Sequence, residues 1–378
     1  ADGLVSVVLP AHLLALGYDP LEVGIIATGT LLGSAALTLA VGLHAGHQPQ
    51  RVVALAGCAL MIATGLGLSV AESFWPVLII AVVGTLNPSV GDVSLFLPME
   101  QAKLADLAPP ERRTNVFGYY SLCGALAGAL GTLAAPLPGE LGLALKLTFL
   151  IYVAVGLLLV AIYLLAPLRG PLGGSERGRP ALSPQSRRPI LILTALFCLD
   201  AFGGGFLLQS LIAIWLFDRF GLSIAEASRA LFVMNLLAAF SHLASPIVAN
   251  RLGIINTMVF THLPSSVALI LAPFAPSLEI ALFLLFVRSA LSSMDVAPRA
   301  SLIVLLVPPA ERNAAASIAA VPRALAAAGA PVVAGALLAA SPFGWSLVVG
   351  AGLKVLYDIL LLLYGRRLAR ERGVADFR

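Results

Sequence analysis

Long apolar runs recur along the chain, separated by short turns and charged loops. The stretch 149–166, FLIYVAVGLLLVAIYLLA, carries no charge and comes close to the ~20 residues an α-helix needs to cross ~30 Å of hydrocarbon. Strands of a membrane barrel would alternate polar and apolar positions over about ten residues, and these runs do not. Cutting the chain at turn chemistry and charge predicts twelve spans, at 1–17, 21–43, 51–71, 74–98, 114–135, 145–166, 189–216, 226–249, 254–273, 278–305, 313–340 and 343–364. Between the sixth and seventh lies PLRGPLGGSERGRPALSPQSRRP (167–189), rich in Pro, Gly and Ser, with five arginines and one glutamate. The expected organisation is an N-terminal six-helix bundle over 1–166, a linker over 167–189, and a C-terminal six-helix bundle with a tail over 190–378. Ala1-Asp2-Gly3 opens inside an apolar segment, so the start of helix 1 is expected to be missing.

Composition supports this reading. Of 378 residues, 59% are apolar and 11% charged, whereas a soluble domain carries about 25% charged residues. The 35 glycines and 25 prolines sit inside apolar runs, as in transmembrane helices. The net charge of +4 follows from loop placement rather than from a nucleic-acid partner. Basic residues gather at Arg51, at Lys103, Arg112 and Arg113, in the linker, at Arg251, at Arg312, and from Arg366 to Arg378. These are alternate loops, so the positive-inside rule puts both termini and the linker in the cytoplasm. The expected location is the plasma membrane, or the inner membrane of a bacterium. Cys58, Cys123 and Cys198 lie in apolar runs and read as small hydrophobes without a disulfide. The chain has no H-E-x-x-H, no G-x-S-x-G, no phosphate-cradling loop and no Cys/His cluster with metal spacing, so neither an enzyme nor a cofactor is expected.

An internal repeat relates the two halves. APPERRTN (108–115) follows the fourth span and VPPAERNA (307–314) the tenth; AGHQP (45–49) follows the second and ANRLG (249–253) the eighth. Six plus six helices, a basic linker and a PPER-type turn after spans four and ten resemble the major facilitator superfamily over essentially the whole chain. The family's G-x-x-x-D-R-x-G-R-R-like loop corresponds to GLHAGHQPQR (42–51), with Gly42 and Arg51 at its ends, Gly46 at the Asp position and His47 at the first basic one. In the second half Asn250 holds the Asp position, with Arg251 and Gly253 retained. The resemblance implies cytoplasmic gating loops at these residues, and departs from the family where an acid is replaced. GALAGALG (124–131) in the fifth span is similar to the glycine-rich motif of exporters without its proline; packing of small residues is the plainer use.

Charges inside the spans demand a reason, because each costs roughly 2.5–3.5 kcal/mol at the bilayer centre. In FVRSALSSMDVAPRASL (286–302), Arg288, Ser292, Asp295 and Arg299 recur at steps of 4, 3 and 4 and share one helical face. Asp295 and Arg299 at i,i+4 form a self-neutralising pair on the plain reading and a polar pathway on the functional one. Pro298 is placed to break the helix there. In the fourth span, Asp92 or Glu100 is the counterpart of this stripe, depending on register. Asp2 and Asp200 stand on the first helix of each half as candidate proton carriers, Asp200 alternatively as a helix-end residue. Gly203, Gly204 and Gly205 read as a packing or bending device. Arg323 after Pro322 meets an anionic substrate or pairs with Asp295 or Asp200. Lys354 and Asp358, one turn apart, read as a structural pair, and His262 as a packed or hydrogen-bonded histidine.

With the resemblance, these residues point to a secondary transporter. It would move a small organic solute by alternating access, with protons as coupling ion, efflux as direction, the lipid bilayer as environment and a monomer as working unit. The alternatives are uptake or uniport of a small metabolite, and a receptor or assembly factor that moves nothing.

Overall fold

The computed structural model describes residues 2–44, 49–86, 100, 113–165, 182–308 and 311–372, and its regular elements are helices. Ten stretches are long and apolar enough to cross a membrane, and Asp2–Ala15 and Phe74–Val83 are shorter apolar helices. Together these fall on the twelve expected spans.

The helices divide into two compact units, one of residues 1–177 with 208–232, the other of 178–207 with 233–378. The first unit holds α1 (Asp2–Ala15), α2 (Pro20–His44), α3 (Gln50–Val70), α4 (Phe74–Val83), α5 (Arg113–Leu133) and α6 (Phe149–Leu165). It also takes in α8 (Gln209–Phe220), which packs on α1. The second unit is built from α7 (Pro184–Gly205), most of α9 (Ile224–Leu252), α10 (Ile254–Leu271), α11 (Leu278–Ser292), α12 (Val296–Leu306), α13 (Arg312–Ala340) and α14 (Trp345–Arg372). There α7 packs on α13 and α14, and α10 on α11 and α14.

Three expected continuous helices are interrupted. The fourth was expected over 74–98, but α4 ends at Val83 and Gly84 is extended. A Cβ on Gly84 would stand 2.6 Å from Thr64 Oγ1, so only glycine fits the turn; Asp92 lies outside the described residues. The seventh divides at 206–208 into α7 and α8, just after the glycine triplet. The tenth divides at 293–295 into α11 and α12, which places Pro298 in the first turn of α12, where a missing N–H costs nothing.

Two helix starts repeat one device. Gly17 (φ 91°) precedes Asp19, which exchanges hydrogen bonds with Glu22: Asp19 N–H donates to Glu22 Oε2 at 2.9 Å and Glu22 N–H to Asp19 Oδ1 at 2.7 Å. Gly221 (φ 65°) precedes Ser223, whose N–H donates to Glu226 Oε2 at 2.8 Å while Glu226 N–H donates to Ser223 Oγ at 3.3 Å. Both are capping boxes that open the second span of a half. G-Y-D-P-L-E and G-L-S-I-A-E thus add a third pair to the internal repeat.

Small residues set the helix spacings. The Gly128 carbonyl occupies the place of a Gly3 Cβ, and a Cβ on Gly131 would stand 3.1 Å from the Leu4 nitrogen, whereas Gly124 faces open space. Two of the three glycines of GALAGALG therefore serve the α1–α5 crossing, which is the plain packing use. Gly3→Ala is expected to lower the thermal unfolding midpoint by several degrees. Gly124→Ala should leave it unchanged or raise it, since alanine gains ~0.5–1 kcal/mol over glycine in a helix. Thermal denaturation of the two purified variants in detergent checks this; equal losses would deny the close crossing.

Candidate functional site

On α7, Leu193, Phe197, Asp200 and Gly203 succeed one another at steps of 4, 3 and 3 and form a buried face. Asp200 is thereby carried into the interior of the second unit, not to a helix end. A buried carboxylate needs partners, and three helices supply them. From α14, Lys354 Nζ donates to Asp200 Oδ1 at 2.6 Å; from α12, Arg299 Nη2 donates to Oδ2 at 3.0 Å; from α10, His262 Nε2 lies 3.8 Å from Oδ1. Arg299 also pairs with Asp295, one turn earlier, and its guanidinium lies 5.5 Å from the Phe197 ring centroid. His262 Nδ1 lies 2.9 and 3.1 Å from the two oxygens of Asp358, and its Nε2 3.5 Å from Lys354 Nζ.

Six ionisable side chains thus form one network. Asp358 is fully buried, and the side chains of Asp200, Asp295 and His262 are 5%, 3% and 4% exposed. Phe197 lies under the Arg299 guanidinium, and the Tyr357 ring stands edge-on to His262 with centroids 6.0 Å apart. With Nδ1–H donated to Asp358, a neutral His262 leaves Nε2 as acceptor for Lys354; this tautomer is the one the partners require. By formal charge, three carboxylates face one guanidinium and one ammonium, which leaves one negative charge to be balanced.

Glycines make the network possible. A Cβ on Gly203 would meet the Gly350 carbonyl at 2.8 Å and Lys354 Cγ at 3.1 Å. Gly205 is closed off by Ala327 and Ala330 of α13. The triplet is a packing device that lets α14 and α13 approach α7.

The other expected residues are dispersed. The face shared by Arg288, Ser292, Asp295 and Arg299 is not continuous: α11 ends at Ser292, and Asp295 becomes the first-turn acceptor of α12, its carbonyl taking the Arg299 N–H at 2.9 Å. Arg288 stays on α11, half-buried, its carbonyl accepting from Ser265 Oγ at 3.1 Å. Asp2 opens α1, half-buried. Glu100 accepts from Tyr163 at 2.7 Å and from Tyr120, both in its own unit. Arg323 lies half-buried on α13; the places beside Asp295 and Asp200 are held by Arg299 and Lys354 instead. Lys354 and Asp358 are not partners of each other, contrary to the expected structural pair. Each finds a buried counter-group on a neighbouring helix, Asp200 for one and His262 for the other.

Of the expected gating residues, Gly42 lies inside α2 and His47 outside the described residues. Arg51 Nη2 donates to the Leu164 carbonyl at 2.8 Å, capping the end of α6. Asn250 and Arg251 are exposed at the end of α9. Gly253 turns into α10 at φ 86°, and its carbonyl accepts from Thr257 N–H at 3.1 Å and Thr257 Oγ1 at 2.7 Å. In the second PPER-type turn, Glu311 is hydrogen-bonded by Ser186 and Ser183, which hold its carboxyl below the usual glutamate range.

His262, Lys354 and Asp358 were not singled out as a site by sequence. Their signal is a charged or titratable side chain inside an apolar span, which is the same signal that pointed to Asp200.

The fold is that of a polytopic α-helical membrane protein. The sequence matches the Major Facilitator Superfamily over residues 1–287. The chain belongs to that family, whose activity is movement of a solute across a membrane by alternating access. It is 24% identical over 401 residues to the uncharacterized membrane protein YJR124C of Saccharomyces cerevisiae, a match covering 95% of this chain and 89% of the yeast protein. A point mutant of the nucleoside transporter NupG superposes with a TM-score of 0.75 at 14% identity, covering 96% of this chain and 95% of NupG. A bacterial homologue of the iron transporter ferroportin gives 0.71 at 18%, covering 96% and 94%.

Two predictions test the geometry. Asp200→Asn and Lys354→Met each leave a buried charge uncompensated, which costs about 3–5 kcal/mol. The double variant should lose much less than the sum, as contacting partners do. Thermal unfolding of the three variants in detergent reads this, and additive losses would show that the pair does not form. Separately, the depressed Glu311 carboxyl contributes stability that is complete above the ordinary glutamate pKa and is lost as pH falls through its lower folded value. The stability gap between the parent chain and Glu311→Gln should therefore close on acidification. A gap that stays constant to pH 3 would deny the Ser186 and Ser183 bonds.

Proposed function

We propose that the chain is a proton-coupled carrier of a small organic solute, working as a monomer in the plasma membrane, with export as its direction. Both termini and the linker face the cytoplasm on the arginine distribution. The observation that carries the coupling is the buried cluster of Asp200, Asp295 and Asp358 with Arg299, Lys354 and His262, in which one proton balances the charges.

In this reading His262 takes the proton at Nε2. Nε2 then ceases to accept from Lys354, 3.5 Å away, and becomes a donor facing Asp200 Oδ1 at 3.8 Å. Lys354 and protonated His262 compete for one carboxylate oxygen. Proton uptake therefore biases whether α7 is tied to α14 or to α10, and small shifts of this kind move packed helices between discrete arrangements. Asp2, Glu100 and Arg288, with Asp92, are assigned to the polar route on their positions in the spans. The gating role of Gly42, His47, Arg51, Asn250, Arg251 and Gly253 rests on the family resemblance. Efflux rests on the likeness of GALAGALG to the exporter motif, although Gly128 and Gly131 also serve packing. Gly46 and Asn250, in place of the family's two acids, are the features favouring a receptor that moves nothing.

The test is solute-driven proton movement in everted vesicles. Respiration builds a pH gradient, read by acridine orange, and a panel of organic acids, nucleosides and organic cations is added. At least one solute should collapse the gradient with the parent chain. His262→Gln and Asp358→Asn should reduce the rate at least tenfold while still eluting as monodisperse protein. Solute flux that ignores the gradient and survives both substitutions would sink the coupling, and no flux of any solute would favour the receptor.

A further inference from the structure

A cavity of about 320 Å³ opens within the second unit against α7, α12 and α13, at the small end of the roughly 300–1,000 Å³ of small-molecule sites. Its lining includes Arg299, Arg312 and Arg323 and no carboxylate among the described residues. Along α13 the face is built from Arg312, Ala316, Ala319, Ala320 and Arg323. Positions 312 and 323 are eleven residues apart, three helical turns, so both arginines share one side about 16 Å apart along the axis. Only methyl groups lie between them. The opposite wall carries Val296, Ile303 and Val304 of α12, with Phe197 of α7 beneath the Arg299 guanidinium.

The three arginines are not equivalent. Arg299 is balanced by Asp295 and Asp200, although its buried Nε has no hydrogen-bond partner. Arg312 and Arg323 form no ion pair among the described residues. Arg312 is exposed at the first turn of α13, whereas Arg323 is half-buried within the apolar span; a guanidinium held there without a counter-charge is costly, and a bound anion with bidentate oxygens removes that cost. The apolar walls require that the anion bring an apolar body.

We infer that this cavity binds an amphiphilic organic anion, a carboxylate or a similar oxyanion on an aromatic or branched hydrocarbon body, with Arg323 as the inner anchor and Arg312 at the mouth. This deepens the carrier reading by naming its solute class and rests on that reading for its use in transport. Arg299 links the two sites, since the guanidinium that lines the cavity is also bonded to Asp200 of the proton-balanced cluster. Occupation by the anion and the arrangement of the cluster are thereby joined through one side chain.

The test uses the full chain in phosphatidylcholine nanodiscs and equilibrium dialysis, with no gradient. The probes are benzoate and indole-3-acetate beside their uncharged amides. The acids should bind at least tenfold more tightly than the amides. Arg323→Ala should remove that preference, Arg323→Lys should keep part of it, and Arg312→Ala should weaken the acids a few-fold in low salt. Amides that bind as well as acids, or acids that ignore both alanine substitutions, overturn the assignment. An anionic headgroup shares this chemistry, so the dialysis is repeated with phosphatidylglycerol in the disc. Displacement of the acids by that lipid overturns the solute assignment in favour of a lipid site. Failed dialysis with successful vesicle flux removes the anion cavity and leaves the carrier, while acid binding lost in Arg323→Ala, in a chain without flux, upholds the cavity and removes the carrier.

Discussion

A carboxylate placed in the middle of an apolar helix must be surrounded, and the surroundings of Asp200 organise the second unit. Lys354 of α14 and Arg299 of α12 each donate to a different oxygen, at 2.6 and 3.0 Å. In a medium without water these bonds have no substitute, so the three helices are held in one register. Gly203, one turn beyond Asp200, is part of the same device. With a Cβ at position 203, α14 would be held away from α7 by the Gly350 carbonyl and the Lys354 stem, and the ammonium would not reach its acceptor. Charge and small-residue packing on α7 are two halves of one constraint.

The break in the tenth span follows from the same centre. Were 278–306 one straight helix, Asp295 would share a face with Arg288 and Ser292. The turn at 293–295 detaches it, and Ser245 Oγ ties the turn down by donating to the Met294 carbonyl at 2.6 Å. Asp295 is left at the head of α12, facing Arg299 alone. Arg299 is then clamped between two carboxylates and over Phe197, a fixed guanidinium with a shared charge. Arg323, on α13, forms no ion pair among the described residues.

Much of the fold was legible because lipid is a blunt selector. Span positions follow from hydropathy and fall where the helices fall, although α7 begins at Pro184, inside the expected linker, and the turn at 108–112 lies outside the described residues. The Asp295–Arg299 pair was legible as an i,i+4 contact, and the glycine triplet as close packing. Local spacing misled at Lys354 and Asp358. The same i,i+4 rule predicts a mutual pair there, yet both side chains turn outward to partners 154 and 96 residues away. A surface helix has water as the only alternative partner, whereas a buried helix has its neighbours, and these are set by tertiary packing. The depth of Asp200 was hidden for the same reason. The Gly-cap-Glu device before spans two and eight lay in plain view, but its residues differ except for glycine and glutamate, and only the backbone conformation makes the equivalence evident.

The two units surround their acids differently. In the first, Glu100 is met by the hydroxyls of Tyr120 and Tyr163, donors that orient a carboxylate without supplying a charge. In the second, Asp200, Asp295 and Asp358 are met by a guanidinium, an ammonium and an imidazole. Tyrosines do not exchange protons near neutral pH, and arginine keeps its charge throughout. In the proton-coupled reading proposed above, the step that couples a proton to helix movement is assigned to His262, which has Asp358 2.9 Å from Nδ1 and both Lys354 and Asp200 within 4 Å of Nε2.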